Sequence, residues 1–277
     1  MERAVPENLW YRPFCELMGR ISKTNSLIFQ PIVSCFTMIV HSTNNGWEII
    51  HQQAHGLLAF QVATHWQADK RPKFWFETLT ALVEHDDGQD PFEGRNHLSD
   101  AGAPLQFEPY SVAQCHQMID IALKKSRWNA LMVSHHASFL YEVKRGEDAE
   151  LDKFLDQQKE NQKKWQKAYG ATAKEVKYAY DLMQWCDALS LILCLEKLPS
   201  EERMLEISKD PDGVSNFIQK RKADKSLCVT PWPFDIDEFS VHIEVYPVNQ
   251  LSFSDDTELY NAINDAPVEI REWVFRK

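Results

Sequence analysis

The chain has 277 residues, 44% of them hydrophobic and nine of them tryptophan, with a formal net charge of -11 at pH 7. That length and apolar content fit one large folded domain, or a domain with an appendage, and exclude a disordered chain. The negative charge argues against non-specific affinity for nucleic acid or for an anionic membrane.

Residues 1–34 carry weak periodicity and read as an N-terminal extension to a single domain over 35–277. The longest apolar run, Leu27 to Val40, is broken by Gln30, Pro31 and Ser34. It is too short to span a bilayer, and it starts too far along the chain for a signal peptide. From Phe36 the pattern alternates, "FTMIVHSTNNGWEII", with Asn44-Asn45-Gly46 at the turn, which predicts a β-hairpin over 36–50. Helices then dominate. Leu58, Val62 and Trp66 recur at fourfold spacing in 52–66, and Leu79, Leu82 and Val83 share a face in 74–85, which stops at Asp87-Gly88. The Gly-, Pro-, Asp- and Asn-rich residues 88–110 read as a long functional loop. Ser111 followed by Gln114 resembles a capping box, and further helices are predicted at roughly 128–144, 148–168 and 172–197. The lysine-rich stretch 157–177 fits a solvated helix face or, alternatively, an anion-attracting rim. After Pro199, "SLCVTPWPF", "FSVHIEVYPV" and "EIREWVFRK" read as strands, with a short helix around 256–263. The expected architecture is α+β, mainly α. A helical core over 52–197 would carry a small antiparallel sheet made by the hairpin and the strands of 226–277. Six cysteines form no CxxC pair, which fits reduced thiols in a cytoplasmic protein.

The ten histidines are unevenly placed. His51, His55 and His65 share the first main helix, His85-Asp86 ends the next one in "EHDDG", and His135-His136 lies inside the apolar "LMVSHHASFLY". Asp187 sits in "LMQWCDALSLILCL", among residues that should be buried. An unpaired ionised carboxylate is costly there, so Asp187 needs a cation, hydrogen-bond donors or water. A shared divalent ion would answer its needs and those of His136. Hydrogen bonds from tryptophan or a buried arginine are the alternative.

The ordered series His55, His85-Asp86, His136, Asp187, each part on its own helix, resembles the HD superfamily of metal-dependent phosphohydrolases. The chain also resembles a bacterial family catalogued as domain of unknown function 3891. That resemblance is carried by "MIVHSTNNGWEIIHQQAHGLLA", "THW", "ALVEHDDG", "GAPLQF", "VSHHASFLY", "WCDALSLILCL" and "TPWPF". It implies an HD-like helical core, with His55, His85, Asp86 and Asp187 as ligands of one metal and His136 as an added ligand. Asp86 and Asp187 would be the catalytic carboxylates, ligating or bridging ions and orienting water. Imidazole and carboxylate donors suit Mn, Fe, Zn or Ni, as one or two ions. His135 reads as structural or as a support behind the ligands, His65 as a core or supporting residue, and His51 as a supporting or sheet-facing one. His97 and His116 read as ordinary surface or loop residues. Arg95 is either a phosphate clamp or an exposed loop charge. The expected function is a hydrolase that acts on a phosphate ester of a small anionic substrate through a metal-bound hydroxide. A di-iron oxygenase and a non-catalytic metal-containing module are the alternatives.

Overall fold

A computed structural model describes residues 38–87, 97–106 and 111–277. The chain divides into two units, Met1–Ser34 and Cys35–Lys277, and every described residue lies in the second. The extension expected at 1–34 and the candidate Arg95 therefore fall outside the described residues, as does most of the loop expected at 88–110.

The hairpin forms as β1 (Met38–Ser42) and β2 (Trp47–His51), in register from Met38 opposite His51 to Ser42 opposite Trp47. Its turn needs glycine at Gly46, because a Cβ there would run into Val248 O. Strand β2 passes without a loop into α1 (Gln52–Thr64), which is followed by α2 (Trp75–Glu84). Ser111 and Gln114 close the expected capping box and start α3 (Val112–Lys125). Ser126 caps α4 (Arg127–Tyr141), Asp148 caps α5 (Ala149–Tyr169), and a second capping box, Thr172 with Glu175, starts α6 (Ala173–Cys194). Five strands and a helix complete the described chain: β3 (Leu205–Lys209), β4 (Ser215–Lys220), β5 (Leu227–Thr230), β6 (Glu238–Val248), α7 (Asp256–Asn264) and β7 (Glu269–Arg276), β6 to β7 being joined through α7. No helix among the described residues is long and apolar enough to cross a membrane.

The expected mainly helical, HD-like core with a small antiparallel sheet is not what the chain forms. The strands make one seven-stranded mixed sheet in the order β1-β2-β6-β7-β5-β4-β3. The hairpin does pair with the late β6, Trp47 opposite Val248, but the sheet continues far beyond that pair. Two strands escaped the sequence reading. β3 and β4 are short and polar on one side, and they are joined by Asp210-Pro211-Asp212-Gly213. Asp210 Oδ1 accepts from the amides of Asp212 and Val214 and so ties that turn. β5 runs parallel to β7 through Leu227 and Phe275, which joins β3–β5 to the rest.

The sheet fixes the helices that matter. Phe239, Val241, Ile243 and Val245 alternate inward along β6, the pattern of a strand with one buried face. Phe234, after β5, packs edge-on against Trp66 at the end of α1 and Trp185 in α6, with ring centres 6.1 Å from each. The indole of Trp185 donates to Asn216 Oδ1 on β4 at 3.0 Å, and the Asn216 amide donates to Pro231 O. Buried indole N–H groups need such acceptors, so this pair sets where α6 lies on the sheet. "TPWPF" thus contacts the helices through Phe234, while Trp232 stacks edge-on with Phe234 and bonds Ile236 O.

Candidate metal centre

Four helices bring one side chain or a pair each to a single buried point. His55 comes from the first turn of α1, His85 and Asp86 from the residues just after α2, His136 from the middle of α4, and Asp187 from α6. None is more than 8% exposed, so no titratable group here can rely on bulk water. The approach of α1 to α2 depends on Gly56, next to His55. A Cβ at Gly56 would lie 2.5 Å from Val83 O and 3.0 Å from Leu82 O. With glycine the two backbones touch, and His55 reaches the end of α2.

The tautomers follow from the backbone. His85 Nδ1 lies 2.8 Å from Leu82 O, and His55 Nδ1 is bonded to Gln52 O. A ring nitrogen facing a carbonyl oxygen must be the N–H donor, so on each ring Nε2 is the nitrogen left to take a proton or a metal. Those two Nε2 atoms face each other at 3.0 Å. Asp187 Oδ1 stands 3.1 Å from His55 Nε2 and 3.4 Å from His85 Nε2. Asp86 Oδ2 lies 3.7 and 3.9 Å from the same two nitrogens and accepts from Gln52 Nε2 at 2.9 Å. Three electron-rich atoms pointed at one another repel unless a cation sits among them. Among the described residues, His136 Nδ1 is moreover buried with no hydrogen-bond partner, and Asp187 Oδ1 has nothing but the two imidazoles to pair with. Leaving such groups unpaired costs about 1–3 kcal/mol each.

Electrostatics agree with that geometry. Burial alone would lower the pKa of His85, but Asp86 and Asp187 outweigh it and raise the imidazole to about 10. Burial works against charge on Asp187 as well, yet His85 and His55 hold its carboxyl well below the usual range. Asp86 is lowered in the same way, chiefly by His85 against its own burial. His136 goes the other way. Burial, reinforced by the charge on His85, lowers it to about 4 and keeps it a neutral donor.

Two groups of donor atoms, each within 4.8 Å of one another, could hold an ion: His55, His85 and Asp187, and His85, Asp86 and His136. They share His85, whose Nδ1 is already committed to Leu82 O, so it has one lone pair for one metal. The geometry therefore suits a single ion with up to five donors better than two ions side by side. The carbonyl bonds to Nδ1 of His55 and His85 are the outer contacts that orient imidazole ligands in metal sites.

The remaining sequence candidates lie elsewhere. His51 ends β2 and meets the Tyr246 ring edge-on, and His65 stacks on Phe239 at 4.1 Å at the far end of α1. His135 turns toward Tyr180. His116 is exposed beside Phe154, as expected. His97 is not a surface residue. It is fully buried, with its amide bonded to Asp256 Oδ1 at the start of α7. The residue that sequence reasoning missed is Gln52, one turn before His55, whose side-chain amide donates to Asp86 Oδ2. Its signal was the i, i+3 spacing to His55.

The family model described as "Protein of unknown function (DUF3891)" matches residues 38–250. No curated protein and no solved structure matches the chain.

Proposed function

The chain belongs to the family of proteins of unknown function DUF3891, a description without an activity, and from the site itself we propose a metal-dependent hydrolase acting on a phosphate ester. The observation that carries the reading is the pair of Nε2 atoms of His55 and His85, 3.0 Å apart, each with its Nδ1 bonded to a backbone carbonyl, and with Asp187 Oδ1 against both. The donors are three imidazoles and two carboxylates, a set that suits Mn, Fe, Zn or Ni over Ca. A divalent ion there would supply an acidified water and a positive charge for an anionic substrate. His55, His85 and Asp187 would hold it, with Asp86 and His136 completing the set. Gln52 keeps Asp86 turned inward. Asp86 and Asp187, both held ionised, can accept a proton from a water at the site. Phosphate chemistry is favoured because the series His55, His85-Asp86, His136, Asp187 resembles that of the HD phosphohydrolases in order and residue type, a resemblance of ligands and not of fold. The reading places the enzyme in the cytoplasm, acting on a small anionic substrate, without nucleic acid or membrane.

The test is hydrolysis by the Mn-loaded protein without oxygen. Phosphomonoesters, nucleotides and cyclic dinucleotides are the substrates, with Asp86→Ala as control. Turnover lost in Asp86→Ala supports the proposal. Silence across the panel together with oxygen uptake by the iron-loaded form replaces it with an oxygenase, and silence in both replaces it with a non-catalytic metal-containing module.

A further inference from the structure

Gln52, the first residue of α1, holds two metal donors that come from different parts of the fold. Its backbone carbonyl accepts from Nδ1 of His55 in the same helix. Its side-chain Nε2 donates to Oδ2 of Asp86, two residues past the end of α2, at 2.9 Å. A carboxylate only accepts, so this bond fixes which end of the amide faces Asp86. The other end is left over. Gln52 is 2% exposed, and among the described residues its Oε1 is buried with no hydrogen-bond partner. A buried acceptor left unmade is destabilising, and methionine, equally long and unbranched, would carry no such atom. Packing therefore gives no reason for an amide here. Asp86 gives one.

The position of Gln52 suits that task. Strand β2 runs into α1 without a loop, and its last residue, His51, pairs with Met38 across the hairpin, so the sheet sets where Gln52 lies. Asp86 is the looser of the two carboxylates. Its Oδ2 stands 3.7 and 3.9 Å from Nε2 of His55 and His85, whereas Asp187 Oδ1 stands at 3.1 and 3.4 Å. We infer that Gln52 is a positioning residue of the metal centre, which acts through Asp86 by holding its carboxylate toward the two imidazoles, and that the grip on the ion depends on it. A neutral N–H serves here because a cationic side chain would compete with the ion and an acidic one would turn Asp86 away. Outer contacts of this kind are worth about 10–100-fold in metal affinity. The inference rests on the proposed metal centre and not on the ester that is attacked.

The experiment uses cobalt(II), which shares the donor preferences of Fe, Ni and Zn. Its affinity is measured by competitive titration on the full chain for the wild type, Gln52→Met, Asp86→Ala and the double variant. The visible absorption of the bound cobalt and urea unfolding of the metal-free proteins are read alongside. Gln52→Met should bind cobalt about tenfold or more weakly, with a spectrum moved toward that of Asp86→Ala. Adding Gln52→Met to Asp86→Ala should cost no further affinity, because a residue that acts through Asp86 then has nothing to hold. Gln52→Asn, whose amide is too short to reach Asp86, should reproduce the loss and replaces Gln52→Met if that variant does not fold. A merely structural glutamine would lower the urea midpoint and leave cobalt affinity and spectrum unchanged, and that result would overturn the inference. So would losses that add in the double variant. Turnover is not in the readout, so the proposals fail separately. A wild-type chain that takes up no cobalt removes the metal centre and this inference with it, whereas a cobalt-binding chain that hydrolyses no ester removes the hydrolase alone.

Discussion

Replacing Gly56 by alanine sets two effects of opposite sign against each other. Gly56 lies inside α1, where glycine is roughly 0.5–1 kcal/mol less favourable than alanine, so propensity alone predicts a more stable protein. The packing predicts the opposite. The added methyl would stand 2.5 Å from Val83 O, 3.0 Å from Leu82 O and 3.2 Å from Val83 C. All three are backbone atoms of α2 and none can rotate away. The helices must part by roughly 0.5–1 Å, at an overpacking cost of about 1–3 kcal/mol. The cost exceeds the gain, so Gly56→Ala should destabilise by a net ~1 kcal/mol. Because His55 immediately precedes Gly56 and His85 lies two residues beyond Val83, the parting also widens the 3.0 Å gap between their Nε2 atoms. Metal affinity should therefore fall about tenfold or more, well beyond what the stability change alone implies. Urea unfolding of the metal-free protein and competitive metal titration would read the two effects separately. A variant that is more stable and binds metal as before would refute both the close helix contact and its link to the site.

Asp187→Ala and His85→Ala should each lose most of the bound metal, and His116→Ala, on the exposed face of α3, should keep it; elemental analysis showing equal content in all three would discard the ligand assignment. The metal-free protein should be most stable near pH 6.5 and lose stability on both sides. His85, raised to about 10, contributes fully below its unfolded value of about 6.5 and loses that contribution as pH rises through 10. His136, lowered to about 4, contributes above 6.5 and loses it as pH falls toward 4. Adding Zn or Mn should flatten the alkaline side, since an ion displaces the proton on His85, and an alkaline limb unchanged by metal would contradict this. Asn216→Ala leaves the Trp185 indole N–H buried and unpaired and should cost about 1–3 kcal/mol in chemical unfolding, whereas a loss under 0.5 kcal/mol would mean the bond does not hold α6 to the sheet.

The parts of the site that stood out in the sequence are those where polarity contradicts its surroundings. Asp187 in "WCDALSLIL" and His136 in "VSHHASF" are conspicuous because burying a charge or an imidazole among leucines needs a reason. Gln52 gave no such contrast, since glutamine is unremarkable on any helix; its spacing to His55 was the one local sign, and its bond to Asp86 shows only in three dimensions. His97 lies outside helices and strands, as a loop residue would, but its burial had no local sign; its backbone amide bonds an aspartate 159 residues further along the chain. The fold was legible where periodicity is long. The strict alternation of β6 and the capping box at Ser111 each have a local physical cause. The size of the sheet was not legible, because β3 and β4 are five and six residues long and alternate weakly. Asp210-Pro211-Asp212-Gly213 was a readable turn between them, yet the pairing of β5 with β7 through Leu227 and Phe275 leaves no mark in either segment alone.

The most direct test of the metal centre is elemental analysis of protein purified without chelator, read beside its unfolding midpoint with and without added metal. Three histidines and two carboxylates sharing His85 predict one equivalent of Mn, Fe, Zn or Ni per chain, and a midpoint that falls when the ion is stripped and recovers when it is restored. Two equivalents would contradict the single shared ion. No metal, with no stabilisation by any of the four, would contradict the centre itself.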